Sequence, residues 1–221
     1  MKMNLMKMKA LRTGLVFLIG AVAMVACEQA EDDLLTDLTL EELSPQVVLS
    51  IPGQPTVLDL LEGVNVSTPI QFEVRQQPTQ GQLNIIDKGL ATYEAPRGNN
   101  RSIDRFTAEI RTTASTYQRE FQVETVSRVG YPISEQGAVY DRGGILKPGE
   151  SIVVDVLAND AEGATSLEVE VPPAQGTASV TDNNEIIYQA NDTYTGLVDV
   201  IYKATFEEGR TGRAVTRFLI E

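Results

Sequence analysis

The sequence repeats part of itself at an offset of 95 residues, and this repetition constrains the fold more than any other feature. Over the 32 positions from 73 to 104, nine residues are identical to those 95 positions later. Average composition would give roughly two identities over that length. The matched positions are Glu73, Val74, Pro78, Gln80, Gly81, Asp87, Tyr93, Ala95 and Asp104. The chain is therefore predicted to be a tandem duplication.

Short runs of alternating polar and apolar residues fill the chain from residue 45 onward, separated by Pro, Gly, Asn and Asp. No long stretch has the 3.6-residue period of a helix, so the pattern favours β-strands. Six strands can be placed in each unit: 56–60, 70–74, 82–85, 91–94, 105–111 and 117–126, then 151–157, 166–171, 177–181, 185–189, 197–205 and 213–220. Each unit has the size of an immunoglobulin-like sandwich, and their boundary is expected near residues 127–142.

Turn motifs separate these strands. Residues 78–81 and 173–176 share the spacing Pro-x-x-Gly, in which Pro fixes φ at about −65° and Gly accepts a positive φ. Residues 182–185 read Asp-Asn-Asn-Glu, which predicts a hairpin tip because Asn tolerates the left-handed region. Tyr93 and Tyr188 are expected to fill the space between two sheets, each hydroxyl bonded to a backbone group.

The N-terminal 26 residues have the outline of a signal peptide. Residues 1–14 carry four basic side chains and no acidic one, and an unbroken apolar run follows from Leu15 to Ala26. As a helix, this run would rise only about 18 Å, whereas the hydrocarbon core of a bilayer is about 30 Å thick. A membrane-spanning helix is therefore disfavoured, and residues 1–26 are predicted to direct export.

The apolar run ends in Met24-Val25-Ala26-Cys27, and Cys27 is the only cysteine of the chain. This ending resembles the lipobox of bacterial lipoproteins, although Met24 stands where Leu is usual. The resemblance implies that Cys27 is diacylated on sulfur and becomes the mature N-terminus, so that the lipid attaches the protein to a membrane. The alternative is an ordinary signal peptide followed by an incidental cysteine.

Residues 28–44 carry seven acidic side chains and no basic one. Like charges repel one another, so residues 27–44 are predicted to form a lipidated cysteine followed by an extended acidic tether. Acidic residues directly after such a cysteine resemble the export signal of Bacteroidetes lipoproteins. That resemblance implies a lipid-anchored protein of the outer membrane, exposed at the cell surface.

The second unit contains an ordered set of motifs: Val156-Leu157-Ala158-Asn159-Asp160, residues 173–177, Ile187-Tyr188 and Tyr194-Thr195-Gly196. This set resembles the bacterial cadherin-like or Ig-like tandem repeat over about residues 151–205. The first unit carries only the later motifs, since residues 57–62 lack the Asn-Asp pair. The expected fold is all-β, with two tandem Ig-like or cadherin-like β-sandwich domains at 45–128 and 129–221. The resemblance implies a surface module without catalysis.

The best candidate for chemistry is a calcium site in the second unit. Calcium takes six to eight oxygen ligands at about 2.3–2.6 Å, usually with several carboxylates. Alternatively, Asn159 and Asp160 hydrogen-bond the backbone of a turn and Asp199 caps a neighbouring loop. Calcium is the only cofactor considered, and none is required. The candidate ligands are Asp155, Asn159, Asp160, Glu162 and Asp199.

Composition excludes several classes of function. The 221 residues include no His and one Cys, which removes His-based nucleophile systems, imidazole-bound zinc and an internal disulfide. The balance of 18 basic against 31 acidic residues argues against a nucleic-acid partner. The sequence has no glycine-rich phosphate loop, nucleophile elbow or HExxH motif. The protein is therefore not expected to be an enzyme.

These features favour a non-enzymatic cell-surface lipoprotein that serves as a display, adhesion or scaffold module, with a surface protein or a glycan as partner. One alternative is a fimbrial or envelope-assembly subunit, whose residues 213–221 would pair as a strand with another chain. Another is a glycan-binding accessory lipoprotein of a polysaccharide-uptake system, for which the candidate stacking side chains are Tyr117, Tyr131, Tyr140 and Tyr194.

Overall fold

The computed structural model describes residues 40–64, 70–86, 89–98, 101–113 and 115–221. Glu41–Glu221 forms one compact unit, and of the separate unit Met1–Leu40 only Leu40 is described. The predicted signal peptide, Cys27 and most of the predicted tether lie outside the described residues. No helix in the described ranges is long and apolar enough to cross a membrane.

The first half of the compact unit folds into two facing sheets. Its strands are β1 (Leu40–Glu42), β2 (Gln46–Ser50), β3 (Pro55–Asp59), β4 (Gln71–Gln76), β5 (Gln82–Ile85), β6 (Leu90–Glu94), β7 (Ser102–Arg111) and β8 (Thr116–Thr125). One sheet has the order β1-β8-β7-β4, with β2 also paired to β8, and the other has the order β3-β6-β5.

The second half repeats this arrangement. A 3₁₀ turn at Arg128–Gly130 and the one-turn helix α1 (Ile133–Gln136) connect the halves. The strands that follow are β9 (Asp141–Leu146), β10 (Ser151–Val154), β11 (Ala164–Val171), β12 (Thr177–Val180), β13 (Ile186–Gln189), β14 (Gly196–Phe206) and β15 (Thr211–Ile220). Their sheets have the orders β11-β14-β15-β9 and β10-β13-β12.

The two halves correspond strand by strand. Each strand from β9 to β15 begins within two residues of the position 95 residues after the start of its counterpart from β2 to β8. In both halves the first of these strands pairs in parallel with the last, β2 with β8 and β9 with β15. The other pairs whose register is defined are antiparallel. The prediction of an all-β sandwich fold is confirmed.

Each sandwich buries its own aromatic core between its sheets. In the first, the rings of Phe106 and Phe121 stack with centroids 4.7 Å apart, and in the second those of Tyr188 and Phe218 stack at 4.3 Å. Tyr93 and Tyr188 are fully buried, as predicted. The Tyr188 hydroxyl donates to a backbone oxygen, but that of Tyr93 donates to a carboxylate, so only one of the two has the predicted kind of partner.

The pattern of alternating residues did not predict strands β1, β2 and β9. The sequence of β9, Asp-Arg-Gly-Gly-Ile-Leu, reads as a turn because of its adjacent glycines, yet its pairing with β15 makes it a strand. Part of the predicted tether is likewise in a sheet: Glu41 and Glu42 belong to β1, and the Leu43 N–H donates to the Gln118 carbonyl at 2.8 Å. The end of the segment 27–44 is therefore held by backbone pairing.

Candidate functional site

Two of the predicted calcium ligands in the β10–β11 connection form hydrogen bonds with backbone groups. Asp155 Oδ1 accepts a hydrogen bond from the Leu157 N–H at 3.1 Å, and Asn159 Nδ2 donates to the Tyr140 carbonyl at 3.3 Å. Glu162 is exposed. Within the part of the chain that the structure describes, no three His, Cys, Asp or Glu side chains are placed to hold a metal ion.

Asp199 lies on β14 and pairs with Arg217 on the adjacent strand β15. The two groups form a bidentate ion pair, with Arg217 Nε 2.7 Å from Asp199 Oδ1 and Arg217 Nη2 2.8 Å from Asp199 Oδ2. The structure therefore does not bring the five predicted ligands together. Nor does Asp199 cap a neighbouring loop, which was the alternative interpretation of its position.

The residue that does cap a loop is Asp104, the counterpart of Asp199 in the first sandwich. Its Oδ1 accepts from the Thr79 N–H at 2.8 Å, and its Oδ2 accepts from the N–H groups of Gln80 and Gly81, both at 2.9 Å. Burial alone would raise the pKa of this carboxyl, but these hydrogen bonds and one from the Tyr93 hydroxyl outweigh it and lower the pKa to about 2. Asp104 is thus a fixed charge that closes the turn before β5.

A buried tyrosine lies between two carboxylates in the second sandwich. The Tyr202 Oη lies 2.8 Å from Asp141 Oδ2 and 2.9 Å from Asp160 Oδ2, and the Val139 N–H donates to Asp160 Oδ1 at 2.8 Å. Asp141 opens β9, whereas Asp160 completes the Asn-Asp pair of the β10–β11 connection. The cluster therefore fastens the segment that connects the sandwiches to the core of the second one.

The environment of Tyr202, Asp141 and Asp160, the Tyr202 cluster, favours a protonated carboxyl group. A phenol has one proton to donate, so the Tyr202 hydroxyl can donate to only one of the two carboxyl groups at a time. Burial raises the pKa of Asp141 to about 7 and that of Asp160 to about 6, and the charge of Asp160 adds to the effect on Asp141. Both carboxyl groups therefore take up a proton at a higher pH than an ordinary aspartate does.

Ion pairs join the two sandwiches. Arg217 of β15, which holds Asp199, also donates from Nη1 to Glu94 Oε2 of β6 at 2.9 Å. Arg213, which lies earlier on the same strand, binds Glu170 of β11 at 2.7 and 3.0 Å and lies 3.4 Å from Asp59 of β3. Each arginine therefore bridges one carboxylate of its own sandwich and one of the other.

A cleft of about 520 Å³ opens beside this joint. Its apolar floor is a row of three side chains across adjacent strands, since Leu197 of β14 is paired with Leu219 of β15, and Leu219 with Ile145 of β9. Leu197 and Ile145 are 58% and 65% exposed, so the row faces solvent. We call these three residues the apolar row.

Arginines line the same cleft. Arg97 follows β6, Arg142 lies in β9 opposite Arg217, and all three contribute to the wall. Arg217 is neutralised by Asp199 and Glu94. Neither Arg97 nor Arg142 has an ion-pair or hydrogen-bond partner among the residues that the structure describes. The cleft thus combines an apolar surface with two available guanidinium groups, which suits a ligand that has both an apolar face and negative charge.

Of the four tyrosines predicted to stack on a sugar, Tyr140 lines this cleft. Tyr117 lies half-buried in β8, and burial raises the pKa of Tyr131 to about 12. The Tyr194 hydroxyl donates to the Leu197 carbonyl at 3.1 Å, and its ring packs against the core of the second sandwich. Sequence analysis did not find the arginines, because only the packing of one sandwich on the other brings residues 97, 142 and 217 to one place.

Comparison with known proteins gives one family and several distant structures. Residues 134–218 match the family model of the bacterial Ig domain. No curated protein matches the sequence. The N-terminal Ig1-2 module of the Drosophila receptor protein tyrosine phosphatase DLAR aligns at 10% identity and a TM-score of 0.38, over 80% of this chain and 95% of that one.

Two further structures show the range of these similarities. An endo-fucoidan hydrolase of glycoside hydrolase family 107 aligns at 13% identity and a TM-score of 0.31 over 81% of this chain, which spans only 28% of the hydrolase. SporoSAG from Toxoplasma gondii aligns at 6% identity and a TM-score of 0.28, over 82% of this chain and 96% of that one. Similarities this distant carry no argument about function. It is the family match that characterises the second sandwich, which over residues 134–218 is similar to the bacterial Ig domain.

Proposed function

We propose that the protein is a lipid-anchored surface protein of the outer membrane, in which two Ig-like sandwiches serve as a non-enzymatic display, adhesion or scaffold module. Ig-like domains in general act as adhesion or scaffold modules without catalysis, and the family match covers most of the second sandwich. The strand-by-strand correspondence of the two halves supports an origin of both from one ancestral Ig-like unit.

The observation that carries the proposal is the joint between the sandwiches. Arg213 and Arg217 each bridge a carboxylate of the first sandwich and one of the second, and the two arginine side chains are only 26% and 21% exposed. Two domains joined by a free linker would change orientation readily, whereas paired charges at two places oppose that motion. A fixed joint is what a display or scaffold module needs to hold its distal surface away from its anchor.

The anchor in this proposal is the lipid on Cys27. Diacylation of sulfur supplies two acyl chains, and each buried CH₂ contributes about 0.8 kcal/mol to membrane binding, so that two chains give a stable attachment. The acidic residues after Cys27 support export to the cell surface through their resemblance to the Bacteroidetes signal. Residues 27–39 would then separate the membrane from β1.

The anchor is tested with Cys27→Ser, using Met24→Leu as the matched control. In a detergent phase-separation assay of expressing cells, wild type and Met24→Leu should enter the detergent phase and Cys27→Ser the aqueous phase. Added protease should degrade wild type on intact cells. Detergent partitioning of Cys27→Ser, or protection of wild type from protease until the cells are lysed, would contradict the anchor or the surface exposure respectively.

The display role is tested by cross-linking on intact cells followed by mass spectrometry. Cross-links from the two sandwiches should lead to surface proteins or surface polysaccharide, and they should disappear in cells that release the Cys27→Ser protein. If anchored and released proteins give the same cross-links, the partner does not depend on display at the membrane and the proposal is wrong.

A further inference from the structure

We propose that the cleft beside the joint binds an acidic polysaccharide. In this assignment Arg97 and Arg142 pair with carboxylate or sulfate groups of the sugar, and the apolar row packs against the faces of its rings. The inference goes beyond the display role, since a scaffold needs no ligand of its own at this place.

The charge of the cleft opposes that of the whole molecule. The chain has a formal net charge of −13, yet three arginines line the cleft, and no carboxylate is among its lining residues in the described part of the chain. Arg217 is occupied by the carboxylates of Glu94 and Asp199. The positive charge left over belongs to Arg97 and Arg142, whose planar guanidinium groups match carboxylate and sulfate groups in bidentate geometry.

The shape of the floor suits sugar rings. Leu197, Leu219 and Ile145 lie on three adjacent strands, so the apolar row extends for about 10 Å at the usual strand spacing of about 4.8 Å. Two linked pyranose rings cover a surface of that length. The volume of about 520 Å³ lies within the usual range of clefts that bind small ligands, about 300–1,000 Å³.

The backbone of Arg142 and the aliphatic part of Arg97 are both held in place. Arg142 lies in β9 with its backbone in register with that of Arg217. The aliphatic part of Arg97 packs over Gly53, where an added Cβ would come within 2.7 Å of Arg97 Cγ. Gly53 itself is held by a hydrogen bond from its N–H to the Ala95 carbonyl at 2.8 Å. Because Arg97 therefore loses less side-chain freedom on binding, its position favours affinity.

The floor favours a saccharide over an acidic peptide. An extended peptide gains affinity chiefly by adding its backbone to a free strand edge. Two of the three strands under the apolar row, β14 and β15, are paired on both sides and present side chains rather than backbone groups, and only β9, which carries Ile145, lies at an edge of the sheet. A ring with an apolar face and a charged substituent needs only the side-chain surface that the cleft provides.

The proposal is tested by titration calorimetry on the full-length protein in detergent micelles at low salt. The probes are polygalacturonate for carboxylate groups, dextran sulfate for sulfate groups, neutral dextran, and poly-L-glutamate for an acidic peptide. We expect saturable binding of polygalacturonate, dextran sulfate or both, weakened by added salt, and no binding of neutral dextran. Which acidic polymer binds identifies the group that the arginines recognise.

The variant is Arg97→Gln combined with Arg142→Gln, and its control is Arg105→Gln combined with Arg128→Gln. Both double variants remove two positive charges, but the control residues are exposed and do not line the cleft. The cleft variant should lower the affinity for the acidic polysaccharide at least about tenfold, and the control should change it less than about threefold.

Three results would overturn the assignment. They are the absence of binding to both acidic polysaccharides, an equal loss of affinity in the cleft and control variants, and binding of poly-L-glutamate at least as tight as that of the polysaccharides. Circular dichroism of both double variants separates loss of a ligand contact from loss of the fold. If the cleft variant is unfolded, Ile145→Ser tests the same cleft through the apolar row, and unchanged affinity there would contradict the proposal.

Discussion

Asp104 and Asp199 occupy the same position in the two sandwiches and have different partners. Asp104 closes a turn through three backbone N–H groups. Asp199 turns to Arg217, whose counterpart in the first sandwich is the uncharged Gln122. A bidentate arginine outcompetes a set of neutral donors for a partly exposed carboxylate. The difference between Gln122 and Arg217 on the neighbouring strand thus accompanies the different partners of the two aspartates.

Replacing Asp104 with Asn should destabilise the first sandwich by about 2–4 kcal/mol, because the new amide group would face N–H donors in a buried site. Hydrogen exchange of β6 and β7 peptides measures the loss, with the exposed Asp182→Asn as control. Since the folded pKa of Asp104 lies below its unfolded value, its contribution is complete above about pH 4 and lost as the pH falls toward 2. An acid-unfolding curve that is unchanged in Asp104→Asn would contradict this account.

The Tyr202 cluster should give the opposite pH dependence. The folded pKa values of Asp141 and Asp160, about 7 and about 6, lie above the ordinary value, so the folded state binds more protons between about pH 4 and 7. As the pH rises through that window, the stability of the second sandwich should fall by an amount on the order of 3 kcal/mol. Asn at position 141 stays neutral, so Asp141→Asn should make the free energy of unfolding depend less steeply on pH. Urea unfolding at several pH values, followed by hydrogen exchange of β14 peptides, measures this slope. The same slope in Asp141→Asn as in wild type would show that Asp141 takes up no proton in this pH window.

Among the elements, the two Pro-x-x-Gly turns need their glycines for different reasons. Gly176 has φ +80°, as the spacing predicts, whereas Gly81 has no positive φ. At Gly81 an added Cβ would lie 2.2–2.5 Å from the ring and hydroxyl atoms of Tyr93, so that glycine is required by close approach. The hairpin tip at 182–185 follows the prediction, since Asn184 has φ +58°. The Pro-x-x-Gly motif thus predicted correctly why Gly176 is needed, but not why Gly81 is.

Comparing Gly176→Ala with Gly209→Ala measures what a side chain costs at the Pro-x-x-Gly turn between β11 and β12. Both glycines have positive φ, +80° and +76°, but a Cβ at Gly176 would come within 2.2 Å of the Gln189 carbonyl oxygen, and one at Gly209 would meet nothing within 4 Å. We expect Gly209→Ala to cost about 1 kcal/mol and Gly176→Ala about 1–3 kcal/mol more, because backbone cannot move aside. Thermal unfolding of both variants measures the difference. Equal melting temperatures of the two variants would contradict this, because they would mean that the backbone at Gln189 in β13 moves away from the new Cβ without loss of stability.

At the scale of the whole molecule, the joint decides whether the sandwiches unfold together. Its two ion-pair bridges are partly exposed, so each contributes only about 1 kcal/mol. Two such bridges nevertheless act at the same surface, where β3 and β6 of the first sandwich meet β15 of the second. They act beside buried apolar residues of both sandwiches, since Ile51 and Val139 line one small cavity between the domains.

Glu94→Gln combined with Asp59→Asn should uncouple the sandwiches. These changes remove the first sandwich's partners of Arg217 and Arg213, whereas the amide oxygen introduced at position 59 still accepts from the Leu61 N–H. Calorimetry should show one coupled transition in wild type and two separate ones in the double variant. The control is Glu73→Gln, which removes an exposed ion-pair partner within the first sandwich. A single transition in the double variant would show that other contacts hold the joint.

The sequence by itself determined the strands whose pattern is local, the 95-residue repeat, and the buried positions of Tyr93 and Tyr188. These follow from alternation and turn chemistry, which depend on neighbours along the chain. The tertiary structure alone decided β2 and β9, which are strands because a distant parallel partner pairs with them. It also decided the partners of Asp199 and the meeting of Arg97 with Arg142, since ion pairs and clefts form between surfaces whose approach no local pattern encodes.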